Sequence, residues 1–289
     1  MELLEILKVI LLGIIEGITE WLPISSTGHL KLVESIPNFA LNGVSEHFPE
    51  MFEYVIQFAA ILAVIVLFWG KLFPLKKDTE QEGKIVWKKE SLTLWVKVII
   101  ACIPAALALG IDMLFENLPQ EVETLIIALA LIIYGIIFIL VEKYNVKQPK
   151  MLTTAEISYK YAFFIGCFQI LAAIPGTSRS GVTIIGALLL GVSRTASAEF
   201  TFFLAIPTMV GASAYKLLDF FMESGGFSGP ELGYLLIGSV VAFAVSLASI
   251  KFLMDFVKKH DFKVFGWYRI LLGVLVICAL VLPPFVRVI

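Results

Sequence analysis

The chain has 289 residues, of which 59% are apolar and 16% charged, with a mean hydropathy of +0.92. Soluble domains average about 45–50% apolar and about 25% charged residues, so this composition excludes a disordered chain, a disulfide scaffold and an ordinary cytosolic enzyme. A net charge of -2 and a pI near 6.0 argue against nucleic acid as a partner. The solvent is a bilayer, and the question becomes what the few polar residues do inside it.

Taken in order, the apolar regions are of two kinds. The first, over 3–36, breaks at Pro23-Ile24-Ser25-Ser26-Thr27-Gly28 and leaves only a short piece before Pro37. Glu16 and Glu20 interrupt it and no small-residue cleavage site follows, so no cleavable signal peptide is expected. Three runs of transmembrane length come next, over 52–70, 93–114 and 122–141. A second broken region, 158–191, is interrupted at Pro175-Gly176-Thr177-Ser178-Arg179-Ser180-Gly181, and three further spans cover 196–220, 232–254 and 266–286. Irregular backbone at membrane depth is tolerated only against protein or a water-filled cavity, so each broken region reads as a re-entrant helical hairpin. Cys102, Cys167 and Cys278 are widely spaced within apolar runs and read as small buried hydrophobes rather than a metal or disulfide set.

The two broken regions resemble each other. Gly13, Glu16 and Gly28 match Gly166, Gln169 and Gly181 at a constant offset, with Pro23 and Pro175 one residue out of step. Each region precedes three spans, so the second half starts on the opposite side of the membrane. The expected fold is therefore an all-α polytopic membrane protein: six transmembrane helices plus two re-entrant hairpins in an inverted repeat. It forms one membrane domain with pseudo-repeats at about 1–150 and 151–289, an arrangement familiar from transporters. An eight-span arrangement, with each hairpin crossing fully, is the alternative.

Loop charge supplies the orientation. Lys71, Lys76, Lys77, Lys84, Lys88 and Lys89 follow the first full span, Lys143, Lys147 and Lys150 the third, and Lys258, Lys259 and Lys263 the fifth. The alternate loops carry Glu46 and Glu50, then Glu116 and Glu121, then Asp219, Glu223 and Glu231. The positive-inside rule puts the lysine-rich loops in the cytoplasm, with both termini and the mouth of the first hairpin facing outward.

Chemistry concentrates at the breaks. Glu16 and Glu20, four apart, share one helix face, and paired carboxylates suit acid/base work or a divalent cation held with a phosphorylated substrate. The Ser25-Ser26-Thr27 run can cap the second half-helix, whose free N–H groups make an anion site. His29 lies three residues beyond Ser26 on the same face. Across from these, Arg179 sits at the other half-helix start, where a guanidinium can take phosphate oxygens through two parallel bonds, with Ser178 and Thr183 as neutral donors. Arg179 can equally pair with Glu16 or Glu20 in the empty state. Two acids, a Ser–His pair, an arginine and two helix N-termini suit attack on an anionic phosphoryl group.

These residues closely resemble the bacterial undecaprenyl-diphosphate phosphatase family linked to bacitracin resistance. The likeness rests on Glu16-Gly-Ile-Thr-Glu20-Trp-Leu-Pro-Ile-Ser25-Ser26-Thr-Gly-His29 and on Pro175-Gly-Thr-Ser178-Arg179-Ser180-Gly-Val-Thr183. Phe52-Glu53-Tyr-Val-Ile-Gln57 and Gly191-Val-Ser-Arg194 through Glu199-Phe to Pro207 support it. Trp21, where phenylalanine is common, is a minor departure. The type 2 phosphatidic acid phosphatase family fits poorly, because His47 and His260 lack the loop context of its second histidine.

The resemblance implies hydrolysis of a long-chain polyprenyl diphosphate to its monophosphate, recycling the lipid carrier of peptidoglycan synthesis. It implies a bacterial plasma-membrane location, a site open to the periplasmic or external face, and a divalent cation (Mg or Ca). Membrane lipid is the other expected partner, nucleic acid is not, and a homodimer is left open. Carried over by position, Ser26 is nucleophile or positions the attacking water, and Glu20 and His29 are the acid/base candidates. Glu16, with Glu20, helps hold cation or substrate. Arg179 grips the diphosphate, with Ser25, Thr27, Ser178 and Thr183 as substrate-binding groups. Glu53, Gln57 and Glu199 are expected either to support the site or to make ordinary interhelical bonds. A transporter or flippase of lipid phosphates, using the same inverted-repeat architecture, is the competing reading.

Overall fold

Proline, serine and glycine set the two interruptions. The computed structural model describes residues 2–34, 36, 39–77, 85–107, 111, 115, 118–144, 148–224 and 226–281. Helix α1 (Leu3–Thr19) stops ahead of Pro23, and α2 (Ser26–Glu34) begins after a short turn. The second region repeats the form. Helix α7 (Tyr159–Gln169) runs into a 3-10 turn over Ile170–Ala173, and α8 (Arg179–Leu189) restarts after Pro175-Gly176. Residues preceding proline are pushed out of the helical region, which is why neither helix continues. The Thr177 N–H donates to the Ile174 carbonyl, closing a turn with Pro175 and Gly176 at its centre. Gly176 has φ +82°, and an added Cβ would come within 2.6 Å of the Ile127 backbone, so only glycine suits the place.

The remaining helices are α3 (Phe48–Leu67), the short α4 (Trp69–Leu72), α5 (Lys89–Ala105), α6 (Gln120–Tyr144), α9 (Arg194–Ser224), α10 (Gly229–Phe256) and α11 (Lys263–Val281). One antiparallel hairpin of β1 (Leu75–Lys77) with β2 (Ile85–Trp87) lies in the lysine-rich loop after α4 and tempers the all-α expectation. Among the described residues α3, α6, α9, α10 and α11 are long and apolar enough to cross a bilayer, so the chain is a mostly helical polytopic membrane protein.

The expected span 93–114 is met by α5, which begins earlier and has 17 residues with Pro104 near its end. Residues 108–110 and 112–114 of that span, and 282–286 of the last one, lie outside the described residues, as do Pro37, Lys84, Lys147 and Glu116. Helix ends overrun the apolar windows because caps set them. Helix α10 starts at a capping box in which Ser228 and Glu231 satisfy each other's backbone N–H groups.

The halves are interlaced. Helix α1 packs on α10 of the second half, and α7, its counterpart, packs on α5 of the first; α3 lies on α9, and α6 on α11. Exchanging the halves turns the α1–α10 pairing into α7–α5 and leaves α3–α9 and α6–α11 unchanged. The matched glycines explain the closest ones. A Cβ on Gly13 would meet the Gly238 carbonyl at 2.9 Å, and one on Gly166 would collide with the Ala101 backbone. The main apolar core fills the space between with Trp21, Phe138, Phe200, Phe202, Phe203 and their neighbours. Trp21 meets Phe202 edge-on at 5.3 Å.

Candidate active site

Interlacing brings the two breaks face to face. Arg179, first residue of α8, reaches the end of the first half-helix and donates through Nη2 to Glu20 Oε1 at 2.7 Å. The other oxygen of that carboxylate, Oε2, accepts from the Ser26 hydroxyl at 3.2 Å. Ser26, Glu20 and Arg179 therefore form a continuous chain across the interface between the breaks. A second bond binds the same backbones, from Ser180 Oγ to the Glu20 carbonyl at 3.3 Å. Arg179 also donates through Nη1 to Thr208 on α9 at 3.2 Å.

Both half-helices are capped in the same unusual way. Ser25 and Ser178 are the only non-glycine residues with positive φ among the described residues, at 74° and 70°. Each accepts from the N–H three residues on: Ser25 Oγ from Gly28 at 3.4 Å, Ser178 Oγ from Gly181 at 3.2 Å. Left-handed backbone at a β-carbon-bearing residue costs of order 1–3 kcal/mol and persists where surrounding structure demands it. The payoff here is geometric, since each turn presents the next residue, Ser26 or Arg179, at a helix N-terminus. Such an end favours negative charge.

His29 is held away from Ser26. Its Nδ1 lies 2.8 Å from the Ser25 carbonyl, and its Nε2 2.7 Å from the Tyr268 hydroxyl, with the two rings stacked at 5.5 Å. A carbonyl only accepts, so Nδ1 carries the proton, and in the neutral ring Nε2 accepts from Tyr268. The Ser26–His29 pair drawn from the sequence spacing is not a hydrogen bond here; Ser26 turns to Glu20 instead.

The other expected residues are spread more widely. Thr183 is fully buried and donates to the Arg179 carbonyl at 3.0 Å while sharing a 2.9 Å contact with Thr201 of α9, so its hydroxyl is engaged within the protein. Thr27 is exposed. Glu199 lies at another place altogether, paired with Lys71 at 2.7 Å. Gln57 and Glu53 do border the site, beside Glu16.

Glu16 itself is 1% exposed and its Oε1 has no hydrogen-bond partner. No trio of His, Cys, Asp or Glu able to cage a metal occurs among the described residues, and both Glu20 oxygens are engaged. The orphaned Glu16 oxygen is the donor here that a divalent cation could use.

Depth follows from what lies beneath. Gly176 rests on Ile127 and Gly28 on Leu131, both on α6. At 1.5 Å per residue, Ile127 is about 10 Å from Gln120 and about 26 Å from Tyr144. The cluster thus lies within the apolar thickness, nearer the Gln120 end. A cleft of about 920 Å³ bordered by Glu142, Lys150 and Arg194 sits at the other end of α6 and α8 and is separate from it.

Two contributors were not singled out from the sequence. Tyr268 and Arg269 are adjacent on α11; the first bonds His29, and the second donates to Pro23, Gly176 and Thr177 carbonyls. An arginine within an apolar helix was itself a signal.

Fold and site together define a polytopic membrane protein in which two interlaced helix breaks set a carboxylate–serine pair against an arginine at opposed helix N-termini. Comparison with known proteins narrows the class. The model of the bacitracin resistance protein BacA family matches residues 9–275, and the chain belongs to that family. Among its relatives are proteins named undecaprenyl-diphosphatase from Enterococcus faecalis and Desulfitobacterium hafniense. Both are 57% identical over 280 residues, covering 96% of this chain and 98% and 96% of their own lengths. Another of that name, from Lachnoclostridium phytofermentans, is 55% identical over 277 residues, covering 96% of this chain and 97% of its own.

Proposed function

We propose that the chain is a bacterial membrane phosphatase that hydrolyses undecaprenyl diphosphate to undecaprenyl phosphate and inorganic phosphate, returning the lipid carrier to peptidoglycan synthesis. The observation that carries the mechanism is the Ser26–Glu20–Arg179 chain between two helix N-termini; family membership and relatives bearing that name support the substrate. This reading displaces the transporter alternative.

In the resting site Arg179 neutralises Glu20. An arriving diphosphate competes for the guanidinium, which is a better fork for phosphate oxygens than any other group here. Glu20 is then free to take the Ser26 proton. Ser26 Oγ attacks the terminal phosphorus, the bond from that phosphorus to the bridging oxygen breaks, and undecaprenyl phosphate leaves as the anion. Water next attacks the phosphoserine. The Glu20 proton returns to Ser26 Oγ as the O–P bond breaks, and both water hydrogens leave on inorganic phosphate. Arg179 and the N–H groups of α2 and α8 bear the charge that develops on the phosphorus oxygens. The bond from Ser26 to Glu20 favours Glu20 over His29 as the base, because His29 offers its lone pair to Tyr268. A divalent cation belongs to this reading: Glu16 would hold it, and when bound it neutralises diphosphate charge.

The broken helices read as two re-entrant hairpins of an inverted repeat with six spans. The cluster's position nearer the Gln120 end of α6, away from Lys143 and Lys150, supports a site facing the periplasmic or external side.

Phosphate release from C55 diphosphate by the purified protein in detergent, with and without chelator, tests the reaction. Turnover, and its loss in Ser26→Ala, is expected. Terminal-phosphate label trapped on Ser26 after an acid quench is the expected mark of the covalent step. Absence of release from the unaltered protein in cation-supplied buffer would overturn the reading.

A further inference from the structure

One buried charge takes no part in the reaction just described. Arg269 is 0% exposed on α11. Its Nη2 donates to the Gly176 and Thr177 carbonyls at 3.0 and 2.9 Å, and its Nη1 to the Pro23 carbonyl at 3.4 Å. The Tyr134 ring lies 5.9 Å from the guanidinium carbon, and Nε has no hydrogen-bond partner. Among the described residues none of its partners is a carboxylate. Burying a cation without a counter-ion is costly anywhere and more so at membrane depth. What it holds must therefore offset that cost.

Its targets show what it holds. Pro23 and Gly176 stand two residues before Ser25 and Ser178, so the same fork grips the equivalent carbonyl in both halves. These carbonyls are freed by the turns and have no place in a helix ladder, so at this depth they need a donor. Holding them on the buried side leaves the following N–H groups, and with them Ser26 and Arg179, at the other side of each turn.

We propose that Arg269 is a positioning residue for the phosphatase reaction. It fixes the two breaks at a single separation, so that Ser26 and Arg179 meet the same phosphoryl group, and it places a fixed positive charge behind that site without touching substrate. The proposal rests on the phosphatase reading, and the unaltered enzyme assayed in parallel separates the two. If that enzyme is inactive, the parent reading fails; if it is active, the variants judge Arg269.

Arg269→Lys keeps the charge and loses the fork. Displacing reacting groups by an ångström costs about 10²-fold, so kcat per folded enzyme is expected to fall by about that factor while KM stays within about threefold. A variant that kept kcat within twofold, or lost activity only in proportion to folded protein, would overturn the proposal. Should Arg269→Lys fail to fold, Gly181→Ala decides. Its added Cβ comes 3.3 Å from Arg269 Nη1, tight enough to nudge the guanidinium, and meets Ser178 only at an ordinary 3.4 Å, while alanine suits the helix interior. A several-fold loss in kcat at unchanged KM is expected, and unchanged kcat would sink the idea.

Discussion

At the first break Ser25 turns with φ 74° and caps Gly28; at the second Ser178 turns with φ 70° and caps Gly181 at the same offset. The backbones are near copies, yet the side chains they present differ completely. The residue after the turn is Ser26 in one and Arg179 in the other. Glu20 faces a counterpart at Ala173, His29 at Val182, and Glu16 at Gln169. The two carboxylates, Ser26 and His29 lie at the first break and Arg179 at the second. Two similar turns thus supply two helix N-termini, and in the proposed mechanism the side chains that differ give each a different half of the reaction. The left-handed serines are common to both turns, whatever side chain follows.

The sharpest way to break this comparison is to remove chemistry from one copy at a time. Ser26→Ala is expected to lower turnover on the order of 10⁴-fold or more, in line with loss of a nucleophile, measured as phosphate release per folded enzyme. Activity within tenfold of the unaltered protein would take the nucleophile away from the first break. Arg179→Lys keeps the charge but cannot fork, and turnover should fall about 10²-fold; an unchanged rate would mean the second break grips the anion through backbone alone. Smaller is the effect expected at His29's partner. With Tyr268→Phe the rate should stay within about fivefold, the size of one hydrogen bond, whereas a tenfold rise would show that freeing Nε2 activates His29 as the base. Smallest are the paired caps. Ser25→Ala and Ser178→Ala should each cost about 1 kcal/mol in detergent unfolding, because both lose the same bond; clearly unequal losses would deny the equivalence of the turns.

Much of the scaffold was legible because the signals were local. Proline-bearing polar turns inside apolar runs located both interruptions, and five of the six expected spans coincide with helices of transmembrane length. Helix ends were less legible, since caps such as Ser228–Glu231 decide them rather than hydropathy. At the site, the spacing put Glu16 and Glu20 on one face but could not say which would meet Arg179. That depends on how α1 packs against the other half. Spacing also placed Ser26 and His29 on one face, where the left-handed turn at Ser25 in fact directs the two side chains to different partners. Thr183 looked like a free donor until α9 brought Thr201 against it. Tyr268 and Arg269 escaped notice because they sit inside a window read only as a span. Their role depends on contacts more than ninety residues distant in the chain.

The second guanidinium that joins the two breaks, that of Arg269, arrives late. Residues 16–29 leave the ribosome with the opening segment, whereas Arg269 follows on α11, the last helix described. At about 5–20 residues per second, some ten seconds to a minute separate them. Throughout that interval the breaks can meet through the Arg179 and Ser180 bonds to Glu20 but lack the Arg269 fork. A polypeptide ending before α11 would lack that link between the Pro23 and Gly176 carbonyls.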